Sequence, residues 1–180
     1  MASIRDVDVV IVGGGIAGSS LAASLANAGL GVVVVERERR FRERVRGESI
    51  HPRGVGVAWE PGLLGVLAAS GGRPLPHWRE YDGRELRASY GWQDRAPEGL
   101  CEWAIYHPRM QEGLLAHAES VGAEVARPAR VEGVTGGPRP EVNVVGDDGP
   151  ARRLRARLLV GADVPSGLEL VVFRGPSIER

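Results

Sequence analysis

Residues 7–36 read VDVVIVGGGIAGSSLAASLANAGLGVVVVE. Three physical signals follow one another in this stretch. VDVVIV (7–12) is a short β-branched run that ends directly in glycine, the pattern of a strand buried in a parallel sheet. From Ile16 to Ala28 the residues are small or aliphatic with good helix propensity, and Gly29 is a natural C-terminal stop. VVVV (32–35) is a second buried strand, ending at Glu36. Strand, glycine turn, helix and strand at these lengths predict a right-handed βαβ unit.

Gly13-Gly14-Gly15-Ile16-Ala17-Gly18 satisfies G-x-G-x-x-G. In a chain with 26 glycines the motif says little by itself. Its context, after a strand, at the head of a helix and before an acidic strand end, is what predicts dinucleotide binding. Gly13 allows the tight turn out of the strand, Gly15 lets a pyrophosphate approach the backbone, and Gly18 lets the helix pack closely on the sheet. The helix N-terminus, at Ile16 and Ala17, offers unpaired N–H groups and partial positive charge to phosphates. Glu36 is placed to accept hydrogen bonds from the adenosine ribose and would repel a 2′-phosphate there. The competing interpretation, a glycine-rich turn without a ligand, accounts for neither the helix start nor the acid. The fold class expected is α/β, a Rossmann-type domain with a central parallel sheet. The βαβ unit alone leaves FAD and NAD both open.

Composition narrows the functions. Charge is balanced, 23 basic against 23 acidic residues, so neither a nucleic-acid nor a membrane partner is indicated. All the basic residues are arginine; with no lysine, Schiff-base chemistry and the Tyr-x-x-x-Lys chemistry of short-chain dehydrogenases are excluded. A single cysteine, Cys101, excludes an internal disulfide and a cysteine-rich zinc site, and is expected as a buried apolar residue in a strand. His51, His77, His107 and His117 lack metal-ligand spacing, and Trp59, Trp78, Trp92 and Trp103 are expected in packing roles. No apolar run reaches 18 residues, and acidic residues precede the first one, so a soluble cytoplasmic protein is expected.

Further along, 37–47 (RERRFRERVRG) is an arginine-rich connection. A helix is predicted from about Pro52 to Ala69, then a hairpin over 78–90 turning at Asp82-Gly83, and a strand at 101–106. The spacing of Met110, Leu114, Leu115 and Ala118 predicts a helix over 108–121. A strand at 123–126, a β-meander over about 129–155 and a last strand at 157–160 complete the pattern, which ends at Gly161-Ala162-Asp163.

Four segments, DVVIVGGGIAGSSLAASLANAGLGVVVVER, RVRGESIHPRGV, YHPRMQEGLLAHAESVGAEV and RARLLVGAD, taken in this order and spacing, resemble the FAD-dependent monooxygenases of the aromatic-hydroxylase type. The resemblance spans about 1–163. It implies an FAD-binding domain whose β-meander crosses over the sheet, with 73–106 as part of a small antiparallel substrate-side sheet and 164–180 as an atypical tail. It also implies FAD as cofactor, NADH or NADPH as reductant, and a small organic substrate to be hydroxylated or epoxidised. Glu36 and Arg37 look like the family's pair at the adenosine end. Arg46-Gly47 lies in the segment that passes the ribityl chain and flavin ring, and Arg109 at the head of the 108–121 helix faces the FAD phosphates or ribityl. Val131 lays its backbone against adenine, and Asp163 matches the aspartate tied to the ribityl chain and to reduced nicotinamide nucleotide. The competing interpretation for Arg46 and Arg109 is a solvated surface cation, although at Arg109 a cation at a helix N-terminus is unfavourable without an anion nearby.

After Asp163 the family's glycine is replaced by Val164-Pro165, and its later Gly-Asp motif is missing. A catalytically incomplete fragment is the expectation, from a stop or frame change near codon 164. A non-catalytic module that binds FAD or another adenine dinucleotide is the alternative function. An NAD-dependent dehydrogenase is disfavoured by the segments at 45–56 and 106–125. Substrate and oligomeric state are not legible.

Overall fold

The computed structural model describes residues 4–43, 49–59, 61–96, 100–146, 151–163 and 173–174. The chain forms two compact units, Met1–Phe41 with Leu114–Arg180, and Arg42–Gly113.

The first unit is built on strands β1 (Ile4–Val12) and β2 (Val32–Val35), with helix α1 (Ile16–Asn27) between them. Strand β8 (Glu124–Ala126) lies parallel to β2. Strands β9 (Ala129–Thr135), β10 (Glu141–Gly146) and β11 (Arg152–Gly161) form the meander, giving the sheet order β8-β2-β1-β11-β10-β9. A short strand β12 (Phe173–Arg174) pairs antiparallel with β11. The predicted βαβ unit is present with the predicted limits to within a few residues.

Why these residues form this sheet is visible in their burial. Val9, Val10 and Ile11 of β1 and all four valines of β2 are at most 3% exposed. Side chains alternate across a strand. Val10, Val33 and Val35 therefore join Val142, Val144, Leu154 and Ala156 in one apolar cluster. Val9, Ile11, Val32 and Val34 face the other way and are buried equally. Helix α1 packs on β1 and β2 through Ala22 and Ala23, residues small enough for close approach. Each buried valine contributes about 1.5–3 kcal/mol of transfer free energy.

The sequence predicts a break between a meander ending at 155 and a strand starting at 157. The structure has none. Leu154 and Ala156 point inward while Arg153, Arg155 and Arg157 point outward, a single period-2 pattern. One strand therefore serves both roles, antiparallel to β10 and parallel to β1.

The outward arginines meet acids on other strands of the sheet. Arg153 and Arg155 share Glu141 at 2.8 and 3.1 Å, Arg157 bonds Asp8 at 2.9 Å, and Glu124 takes both Arg5 and Arg152. The backbone N–H of Gly31 and the Arg157 guanidinium hold the Asp8 carboxyl below the usual range. Partial burial pushes Glu124 up, and Arg5 and Arg152 together outweigh it, leaving that carboxyl low as well.

The second unit contains β3 (Ser49–Ile50), α2 (Pro52–Trp59), α3 (Leu64–Ala69), β4 (Arg73–Leu75), the hairpin β5 (His77–Asp82) and β6 (Glu85–Gly91), and β7 (Glu102–Ala104). β7 lies between β3 and β4 in a three-stranded antiparallel sheet. The single helix predicted from Pro52 to Ala69 is in fact two. The first ends in a Schellman turn, with Gly62 N–H on the Trp59 carbonyl and Leu63 N–H on that of Ala58, both 2.9 Å. Pro61 has no N–H to continue a helix, and Gly62 adopts φ +75°. The hairpin turns one residue later than predicted, through Gly83-Arg84, because Asp82 still pairs with Glu85. The strand predicted at 101–106 is shorter. Cys101 precedes it and is half-buried, not a buried strand residue. Trp92 packs edge-on against His51, Trp78 and Tyr90, whereas Trp59, expected in a packing role, is 62% exposed.

Helix α4 (His107–Ser120) runs through the boundary between the units, with Met110, Leu114, Leu115 and Ala118 buried as predicted. No helix among the described residues is long and apolar enough to cross a membrane.

Two predictions follow from the local energetics. Gly62 and Gly65 both have open space where a Cβ would stand, but only Gly62 has positive φ. Gly62→Ala should therefore destabilise by about 1–2 kcal/mol, while Gly65→Ala, inside α3, should stabilise by about 0.5–1 kcal/mol; urea unfolding measures both. Because Asp8 and Glu124 titrate low in the folded state, their stabilisation is present above an ordinary carboxylate value of about 4 and is lost as pH falls through their folded values. Asp8→Asn should be less stable than wild type at about pH 6, and the difference should shrink as pH falls through the lowered folded-state value of Asp8.

Candidate functional site

The chemistry-bearing end of the first unit is where β2, β1 and β11 finish side by side. The turn at the end of β1 is tied to both neighbours. Gly13 N–H donates to the Val35 carbonyl at 2.8 Å, and Ala162 N–H donates to that of Val12 at 2.7 Å. Gly13 has φ +103°, and a Cβ there would stand 2.8 Å from the carbonyl carbon and oxygen of Ala162. Only glycine satisfies both the dihedral and the space.

Gly15 is the N-cap of α1, with φ −66° and ψ −170°, a conformation open to any residue. No side chain caps the helix and its first turn contains no acidic residue. The first-turn residues Ile16 and Ala17 are exposed. Gly18 faces inward: a Cβ there would lie 1.9 Å from the Gly13 carbonyl oxygen. The helix thus rests on the turn through the absent side chain of Gly18, and its N-terminal dipole emerges uncovered.

Glu36 is only 5% exposed. Its Oε2 accepts the Gly14 N–H and its Oε1 the Glu38 N–H, both at 2.7 Å. Its own N–H donates to Ala126, and its carbonyl accepts from Ala129, so its backbone is fixed on both sides. The carboxylate therefore braces the glycine turn directly, a role the sequence did not suggest. Each oxygen retains a lone pair for a further donor.

Arg37 follows, exposed, with Nη1 3.9 Å from Oδ2 of Asp163 beyond the end of β11. Val131 of β9 pairs with Val144 after a bulge and packs its side chain on the apolar cluster. Gly13, Gly15, Ile16, Ala17, Gly18, Glu36, Arg37, Val131 and Asp163 thus all belong to the first unit. Arg109 belongs to the second, where it is exposed, with Nη1 3.7 Å from the Cβ position of Gly71. Arg46 and Gly47 lie outside the described residues.

Two contributors were missed by sequence reasoning. Ser19 is fully buried, and its hydroxyl donates to the Gly14 carbonyl at 2.6 Å, fixing the turn from the helix side. Its signal was available, since it is a polar residue on the face that buries Ala22 and Ala23. Arg127 donates Nε to the Glu38 carbonyl at 2.6 Å and stacks 4.4 Å over the Phe41 ring, which holds the chain after Glu36. Nothing in the local sequence indicates that contact.

The Cβ positions rank the glycines. Gly18→Ala collides with backbone and should cost about 3 kcal/mol or more. Gly14→Ala, facing Glu36 Cβ at 3.1 Å and the Leu115 side chain at 3.2 Å, should cost about 1 kcal/mol. Denaturant midpoints of the two variants measure the ranking.

The comparisons with known proteins agree with this geometry. The family described as FAD binding domain matches residues 6–168. The chain is 31% identical over 160 residues to the uncharacterized aromatic compound monooxygenase YhjG of Bacillus subtilis, covering 87% of this chain and 31% of that protein. It is also 31% identical over 157 residues to rifampicin monooxygenase of Streptomyces venezuelae, covering the same shares of each. A flavoprotein/dehydrogenase structure from Cytophaga hutchinsonii superposes with a TM-score of 0.75 at 28% identity, over 88% of this chain and 39% of that one. The chain spans 31% of the length of the two curated relatives. With residues 6–168 matched, and a glycine turn braced by a buried acid at the head of a helix, the chain belongs to the FAD-binding-domain family.

Proposed function

We propose that this chain holds the adenosine-diphosphate half of FAD in a flavin monooxygenase, an enzyme that takes electrons from NADH or NADPH and oxygenates a small organic substrate. The observation that carries the proposal is the uncapped N-terminus of α1, set behind glycines that a Cβ could not replace. That donor set fits a diphosphate: unpaired N–H groups and a partial positive charge with no side chain in competition. The N–H groups at Ile16, Ala17 and Gly18 take its oxygens, and Gly15 gives it room. The remaining lone pairs of Glu36 accept the adenosine ribose hydroxyls. The Val131 backbone stands where adenine lies, and Arg37 and Asp163 flank the path between adenosine and flavin. Arg46-Gly47 and Arg109 serve the same cofactor from further along the chain. Bound FAD supplies the redox and oxygen chemistry, while the protein binds, orients and excludes water.

The relatives are named for aromatic compounds and for rifampicin, which supports an organic, ring-containing substrate. The hairpin supports a substrate-side role for 73–106. The hairpin opposes Trp78 to Tyr90 and Tyr81 to Leu86, with an irregularity in register between Glu80 and Tyr81. Trp78, Tyr81 and Leu86 are 41–55% exposed, large apolar side chains that further chain could cover.

Titration with FAD, followed by calorimetry and flavin absorbance, tests the binding half of the proposal. Saturable binding is expected, and binding of NAD without FAD would sink it. Glu36→Gln replaces one acceptor with a donor facing a backbone N–H. It should weaken FAD binding at least tenfold and destabilise the fold by about 1–3 kcal/mol. NADH- or NADPH-dependent oxygen consumption by the FAD-loaded protein tests the enzymatic half.

A further inference from the structure

Strands β2 and β11 are not neighbours, because β1 lies between them. Their ends stand about 9–10 Å apart, on either side of the turn Gly13–Gly15. Both flanks touch that turn. On one side, Gly14 bonds Glu36. On the other, the Cβ position of Gly13 is 2.9 Å from the backbone nitrogen of Asp163. The pair between Arg37 and Asp163 joins the two flanks, so it passes over the end of β1 and crosses the mouth of the turn. This is the carboxyl end of the sheet, where open α/β sheets take their ligands.

A diphosphate held by the first turn of α1 enters the same space. It brings negative charge towards Asp163 and offers Arg37 phosphate oxygens that its planar fork suits better than a carboxylate at 3.9 Å. At that separation the present pair is an ionic contact without a hydrogen bond. The Arg37 side chain is 46% exposed.

We propose that Asp163 competes with the ligand's diphosphate for Arg37, and thereby sets the affinity of this site for adenine nucleotides. The proposal rests on the diphosphate reading given above. Its distinguishing feature is that Asp163 acts through Arg37. Direct repulsion between Asp163 and the ligand would act whether or not Arg37 were present.

The test is a double-mutant cycle read with ADP, which lacks the flavin and ribityl portions. ADP affinity is measured by calorimetry on the whole chain for wild type, Asp163→Asn, Arg37→Gln and the double variant, with Asp163→Ser as a second removal of the charge. Asp163→Asn should tighten ADP binding about two- to fivefold when Arg37 is present, and should tighten it distinctly less in the Arg37→Gln background. The gain should shrink at high salt. An equal gain in both backgrounds would show plain repulsion and overturn the proposal. Unchanged ADP affinity in both Asp163 variants would also overturn it, with the diphosphate site left intact. Failure of all these proteins to bind ADP, with melting curves showing them folded, would remove the site itself and the proposal with it.

Discussion

The buried hydrogen bond from the Gly14 N–H to the Glu36 carboxylate joins the two halves of the βαβ unit at the point where the chain must turn sharply. A charge-assisted bond out of water contributes about 1.5–3 kcal/mol and leaves a costly unpaired donor if lost. Around it the other contacts fall into place. Gly13 N–H reaches β2, Ala162 N–H reaches β1, and the Ser19 hydroxyl closes the turn from the helix. With the turn fixed, Gly18 can rest on the Gly13 carbonyl, and that contact aims the N-terminus of α1 outward. The ligand-binding geometry is thus a consequence of packing three strand ends and one helix with as few side chains as possible.

Stability and site geometry come from different sources in this unit. The sheet is held by valines, leucines and alanines buried on both faces, at about 1.5–3 kcal/mol for each large side chain. The arginine-acid pairs on its outer surface are partly exposed, and pairs of that kind contribute about 0.2–1 kcal/mol each. Their value lies in register. Arg153 and Arg155 meet one glutamate on the next strand, and Arg157 meets Asp8, so a slip of one residue would turn these cations into the apolar cluster. Register in turn places Gly161-Ala162-Asp163 against the glycine turn.

Local pattern carried most of the fold. The strands at 7–12 and 32–35, the helix at 16–28 and the buried stripe on α4 were legible because their hydrophobic period matches their structure. The misplaced boundaries share a cause. The helix break at Gly62 and the uninterrupted β11 depend on which competing local signal prevails, Pro-Gly against aliphatic periodicity in one case and alternating Leu and Arg against a turn-rich context in the other. In the site, the glycines and Glu36 were legible as residue types at fixed spacing. The bracing role of Glu36, the buried hydroxyl of Ser19 and the Arg127–Phe41 stack are contacts between segments. No spacing rule along the chain encodes them.

A buried carboxylate beside an uncapped helix N-terminus sets two opposite electrostatic features side by side, and their arrangement explains the layout of this end of the sheet. The charge of Glu36 is directed at two backbone N–H groups that bond at 2.7 Å, and neither belongs to the first turn of α1. Its field is spent on the turn and on the chain leading to Arg37. The helix dipole, which no acid in the first turn offsets, points at the other side of the glycines. Asp163 stands across the turn from Glu36, with Arg37 as its ionic partner. Of the two acids at the strand ends, Glu36 is built into the scaffold, and Asp163 is the one whose partner a ligand can change.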